Sequence, residues 1–144
     1  MKTAIKTIVF TALAGFFVTA SAASFFDGKR PLLCSVHQLF ECDAPNACLA
    51  VTPEQIGGVS HLNIDFKNKA ITRAGVDSKQ TSTIDSVETI DNKLILSGIE
   101  DGEAELRDGA GWTISIMDPE GTMVLAVAGD GFAVVGLGAC VPKP

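Results

Sequence analysis

The chain has 144 residues, enough for one domain of ordinary size, and 47% of them are hydrophobic, so it can bury a core. Its 17 acidic residues outnumber its 11 basic residues, which gives a net charge of −6, and no basic cluster is present. A chain this acidic is a poor partner for nucleic acid or anionic lipid, so composition argues against both classes of binding.

The N-terminal segment has the three parts of a secretory signal peptide. Lys2 and Lys6 supply positive charge, residues 8–18 form an apolar run, and the small residues 20–22 provide a cleavage site. The apolar run is short for a membrane-spanning helix, which needs about 20 apolar residues. We therefore predict a cleaved signal peptide at 1–22.

Cleavage after residue 22 would leave an N-terminal arm at 23–31 and a β domain at 32–144. Nine basic and 17 acidic residues would remain, a net charge near −8. The segment 122–141 contains few polar residues, but Asp130 between two glycines favours a hairpin over a membrane span. We expect a periplasmic or secreted protein with no membrane span after signal removal.

The cysteine pattern predicts two disulfides. All four cysteines follow the predicted cleavage site, and an even number in a small exported domain is typical of disulfide bonding. Three connectivities are possible. The favoured one joins Cys42 to Cys48 across turn-forming residues, and Cys34 to Cys140, which would tie the first strand to the last. The spacings do not match a zinc site, and we expect no metal and no cofactor.

Taken in chain order, the residues after the arm alternate between apolar and polar as half-buried strands require, and turn-forming residues separate the runs. A single helical turn is expected at 53–56 and a loop at 75–82. Strands are predicted at 32–42, 47–52, 60–66, 69–73, 83–90, 93–99, 112–117, 122–128 and 132–139.

Four of these strands carry more detailed expectations. The strand at 32–42 should place Cys34, Val36 and Phe40 on one face. The segment 83–90 has apolar residues three apart, as in a short helix, but its Thr and Val content favours a strand. The last two predicted strands are apolar on both faces, as central strands covered on each side would be.

About eight to ten short strands at this spacing predict an all-β fold. We expect a single antiparallel up-and-down barrel or sandwich, linked by the disulfides. Most of the connections are short, which favours up-and-down order. A bridge between Cys34 and Cys140 would place the terminal strands side by side, as closure of a barrel requires.

No catalytic constellation is visible in the sequence, so we predict no catalytic residues and a protein that is not an enzyme. His37 and His61 are interpreted as surface or partly packed residues. The acidic run at 101–105 begins like a calcium loop, but Leu106 and Trp112 stand where such a loop needs Gly and Glu.

Three aromatic residues are candidates for binding. Trp112, the only Trp, is expected in the core, with a pocket floor or an interface as the alternative. Phe25 and Phe26 lie in the irregular arm and could contact a partner if the arm is exposed.

The order of motifs resembles a group of small, exported, functionally uncharacterised bacterial proteins with four cysteines. The matching elements are FFDGKRPLLCSV, the cluster of Cys34, Cys42 and Cys48, HLNIDFKNKAIT, the Trp112 strand and the closing GFAVVGLGAC. The resemblance covers nearly all of the predicted mature chain. It implies an envelope or secreted location and carries over no functional residue.

Two functions from different classes follow as hypotheses. The first is a small exported β-barrel that binds an apolar small molecule or an envelope component, since such barrels can hold one ligand. The second is a periplasmic or secreted interaction protein that uses its N-terminal arm. In size, export signal, disulfide and barrel it is similar to exported bacterial inhibitors of secreted metalloproteases, which insert an N-terminal arm into the protease cleft.

Overall fold

The computed structural model describes residues 24–43, 47–58, 60–75, 81–100, 102 and 109–143; the predicted signal peptide lies outside them. The described residues contain no helix and form ten antiparallel strands. In chain order these are β1 (Leu32–Asp43), β2 (Leu49–Val51), β3 (His61–Asp65), β4 (Ala70–Arg73), β5 (Thr81–Thr83), β6 (Ser86–Ile90), β7 (Lys93–Glu100), β8 (Ala110–Met117), β9 (Thr122–Ala128) and β10 (Phe132–Pro142).

The strands form one curled sheet, a half-barrel, which confirms the all-β prediction. The sheet order is β5-β4-β3-β1-β10-β9-β8-β7-β6, and β2 pairs with β1 beyond the end of β3. The edge strands β5 and β6 are consecutive in the chain. The curl brings β5 next to β7, because Ser82 Oγ on β5 donates a hydrogen bond to Glu100 Oε1 on β7.

Both favoured disulfides are present. Cys34 on β1 and Cys140 on β10 face each other in register, so their bridge links the first long strand to the last. Cys42 and Cys48 close the connection from β1 to β2. Disulfides persist in oxidising surroundings, and these two indicate an oxidising compartment.

A β-bulge in β1 changes which residues face the core. The register against β10 shifts between Val36 and Gln38, so that His37 is the extra residue. Before the bulge the even-numbered residues are buried, and after it Leu39 is buried while Phe40 is only half-buried. The prediction that Phe40 shares a face with Cys34 is therefore wrong, because the bulge reverses the alternation.

The ambiguous segment 83–90 is extended, as predicted, but broken. Residue 83 ends β5, and β6 begins at residue 86. Ile84 lies between them and is fully buried, while its N–H donates to Lys69 O (2.9 Å). The loop predicted at 75–82 overlaps the start of β5; residues 76–80 lie outside the described residues.

The expected helical turn at 53–56 is a non-helical turn. Gln55 N donates to Thr52 O (3.1 Å), and Gly58 N donates to Pro53 O (2.7 Å). Gly57 has a positive φ of 62°, a conformation that glycine adopts without steric cost. The chain is therefore reversed here by a glycine-terminated turn.

The central strands are not covered on both faces. On the convex side of β9 and β10, Val124, Leu137 and Val141 are 46%, 39% and 56% exposed. The prediction of cover on each side is wrong for these strands, because one curled sheet has a single inner face. Within the described residues there is no helix with the length and apolarity of a membrane span.

Candidate functional site

One end of the inner face of the half-barrel is lined by completely buried apolar side chains. Leu32, Ile64, Leu94 and Ile116 are completely buried there. Phe26 of the N-terminal arm is also part of this core, at 4% exposure, and its ring packs against Gly121 in the β8–β9 turn. The arm therefore closes this end of the sheet with one of its two rings.

The other end of the inner face contains a half-enclosed cavity of about 170 Å³. It lies where β7 and β9 end and β8 begins. Most of its lining is apolar. The larger apolar residues of the wall are Leu62, Ile71, Trp112, Ile114, Leu125 and Val127.

The strand register explains how these side chains come together. Trp112 pairs with Val127, and Ile114 pairs with Leu125, across the β8–β9 ladder. Alternation along each strand turns all four toward the inner face. Cross-strand aromatic and β-branched pairs of this kind stabilise a sheet by roughly 0.2–1 kcal/mol each, so the cavity wall is also part of the framework.

Trp112 links the core to the cavity. The residue is only 7% exposed, as the core interpretation predicts, and it also lines the cavity, which was the alternative. Its ring lies over Gly98 of β7, where a Cβ atom would stand 2.7 Å from Cε2. Its buried Nε1 has no hydrogen-bond partner within the described part of the chain, and an unpartnered buried donor costs about 1–3 kcal/mol.

The polar part of the lining consists of Ser82 on β5 and Glu100 on β7. Ser82 Oγ donates a hydrogen bond to Glu100 Oε1, which joins the two strands across the opening of the cavity. Glu100 is exposed to solvent. The cavity therefore has an apolar interior and a carboxylate at its rim.

Sequence reasoning found Trp112 but did not find Ser82 or Glu100. The signal for Glu100 was present in β7, where Leu94, Leu96, Gly98 and Glu100 share one face. A glycine and then a carboxylate on the core face of a strand indicate that the core ends before the strand does. No comparable signal marks Ser82.

The two rings of the arm occupy different environments. Phe26 is buried in the core, where a partner cannot reach it. Phe25 is 52% exposed, and Arg30 Cζ lies 5.8 Å from its ring centroid, in cation–π range. Of the predicted aromatic pair, the structure leaves Phe25 as the accessible ring.

The histidines lie on the surface of the sheet, away from the cavity. His37 is exposed at the bulge and hydrogen-bonded through Nε2 to Ser35 Oγ (2.6 Å), and His61 is exposed on β3. Among the described residues, no three His, Cys, Asp or Glu side chains are grouped so that they could hold a metal ion.

Comparisons place the chain near no known protein. Models of protein families, curated proteins and solved structures were each compared with it, and none matches.

Proposed function

We propose that the protein binds a small apolar molecule, or the apolar group of a larger one, in the cavity at Trp112. The observation that carries the proposal is an apolar cavity of about 170 Å³ at one end of an inner face whose other end is lined by completely buried side chains. An engineered apolar cavity of about 150 Å³ stays dry and binds benzene. A cavity of this size therefore accommodates one ring or a chain of about six carbons.

The proposal includes the cell compartment. Residues 1–22 would direct export, and the protein would act in the periplasm or outside the cell, as in the exported four-cysteine group that it resembles. The two disulfides support this location, because they require oxidising surroundings. We propose a binding protein without catalytic activity.

The chain supplies its own reporter for the test. Trp112 is the only Trp, the chain has no Tyr, and Trp112 forms part of the cavity wall. Titration of the oxidised mature protein with 1-hexanol should therefore give a saturable change in tryptophan emission. No saturable change with 1-hexanol or benzene would contradict the proposal.

A filled-cavity variant links the signal to the site. Ala110→Leu replaces a methyl side chain of the lining by an isobutyl side chain, and loss of space for two ligand methylenes at about 0.8 kcal/mol each should weaken hexanol binding about 15-fold. Ala126→Leu is the matched control, since Ala126 is exposed on the convex face. Equal affinity of both variants would place the bound hexanol elsewhere.

One observation favours a second function. Phe25 is half-exposed on an arm that Phe26 anchors, so a ring is presented to solvent in a fixed place. This supports the interaction hypothesis, with the arm contacting a secreted protease. Phe25→Ala should abolish inhibition of a panel of secreted bacterial metalloproteases while leaving thermal stability unchanged. If no member of the panel is inhibited, or if the variant inhibits as well as the parent, this second function is refuted.

A further inference from the structure

The charge at the cavity opening points to a class of ligand. Among the described residues that line the cavity, Glu100 is the only ionisable one. Its Oε1 accepts a hydrogen bond from Ser82 Oγ, which holds the carboxylate at the rim, and its exposure leaves it accessible to a ligand head group. An anionic head group there would meet a like charge.

The chain as a whole carries the same sign as Glu100, with a net charge of −6. The nearest basic residue along β4 is Arg73, but its Nη2 donates to Gly57 O (3.2 Å) and it does not line the cavity. Long-range attraction therefore also favours a cation.

We propose that the ligand is a cationic amphiphile: an amine whose apolar group fills the cavity and whose ammonium group pairs with Glu100. This inference rests on the proposed function and adds the ligand's charge. The volume of the cavity limits the apolar group to about one ring or six carbons. Alkyl and aralkyl amines of this length are the matching class.

The expected preference is modest because Glu100 is exposed. Two unit charges 4 Å apart in water attract with an energy equivalent to about a fivefold change in affinity. An amine should therefore bind about fivefold more tightly than the alcohol with the same chain, and the carboxylate should bind about fivefold more weakly. Added salt should reduce both differences, since exposed charges are screened.

The test compares three ligands with one tail at pH 7 and low ionic strength: hexylamine, 1-hexanol and hexanoate, each titrated against Trp112 emission. In the parent protein the expected order of affinity is amine, alcohol, carboxylate. Glu100→Gln keeps an acceptor for Ser82 and removes the charge, so the three affinities should converge to within about twofold. Glu120→Gln, in the turn at the opposite end of the sheet, removes one charge as a control and should preserve the order.

The outcomes separate the two proposals. If none of the three ligands binds, the proposed function itself fails. If 1-hexanol binds but hexylamine binds no more tightly, or if hexanoate binds best, the cavity function stands and the cationic ligand is refuted. An unchanged order in Glu100→Gln would also refute it, because the preference would then come from other charges.

Discussion

Gly98 lies at the contact between the cavity wall and the closing edge of the sheet, and Gly98→Ala tests that packing. A Cβ atom at this position would overlap Thr83 O of β5 and the six-membered ring of Trp112. The Thr83 oxygen belongs to the backbone and cannot rotate away, so either β5 or the indole must move. Overpacking of this kind lowers the free energy of unfolding by about 1–3 kcal/mol. Because the added Cβ atom would overlap atoms on two sides, we expect a value near the upper end of that range.

The assay is thermal and urea unfolding followed by circular dichroism. A loss of about 2–3 kcal/mol in a domain of this size should lower the Tm by roughly 6–12 °C. Gly111→Ala on β8 is the matched control, because a Cβ atom there meets nothing within 4 Å. That variant should be as stable as the parent or up to about 1 kcal/mol more stable. A Gly98→Ala protein within 0.5 kcal/mol of the parent would refute the packing described for Trp112.

The remaining predictions concern the disulfides and one turn carboxylate. Removing the Cys34–Cys140 bridge, which spans 106 residues, should lower the free energy of unfolding by about 4–5 kcal/mol, whereas removing the Cys42–Cys48 bridge, which spans six, should lower it by about 2 kcal/mol. Urea titration of the paired Cys→Ala variants measures both losses. Equal losses would contradict the dependence on loop length. Asn68 donates through its backbone N–H (3.0 Å) and side chain (2.7 Å) to Asp65, which lowers the pKa of that carboxyl below its usual 3.8. The contribution of the Asp65 carboxylate to stability is therefore present above pH 3.8 and is lost as the pH falls through its folded-state pKa. Asp65→Asn should be less stable than the parent at pH 6, and the two should converge in stability at lower pH. A stability difference that does not depend on pH would contradict a contribution from the ionised carboxylate.

The fold class could be predicted from the sequence because alternation and turn residues act locally. The strand at 122–128 is predicted with its observed bounds, and most others are shifted by one to three residues. The pairing of Cys34 with Cys140 was favoured because it would join the terminal strands, and the sheet places these residues opposite each other.

The predictions that are wrong share a physical cause, because each concerns a feature that depends on contacts between distant parts of the chain. The bulge at His37 reverses the faces of β1, and a strand's own alternation cannot reveal an extra residue relative to its partner. The convex face of β10 is apolar yet exposed, because hydrophobicity alone does not show whether a second layer covers it.

The cavity was anticipated as a hypothesis and not as a set of residues. Trp112 could be identified because it is unique and aromatic. Ser82 could not be assigned, since it comes from the far edge of the sheet and meets Glu100 only through the curl. The position of a cavity in a half-barrel depends on the combined side-chain volumes of several strands, so it cannot be predicted from the sequence of any one segment.

The most direct test of the central claim is a crystal structure of the mature protein under xenon pressure. Apolar cavities of this size bind xenon. The account predicts a xenon peak between Trp112, Leu62 and Leu125, and loss of that peak in Ala110→Leu. A cavity filled by repacked side chains, or occupied by ordered water with no xenon, would contradict it.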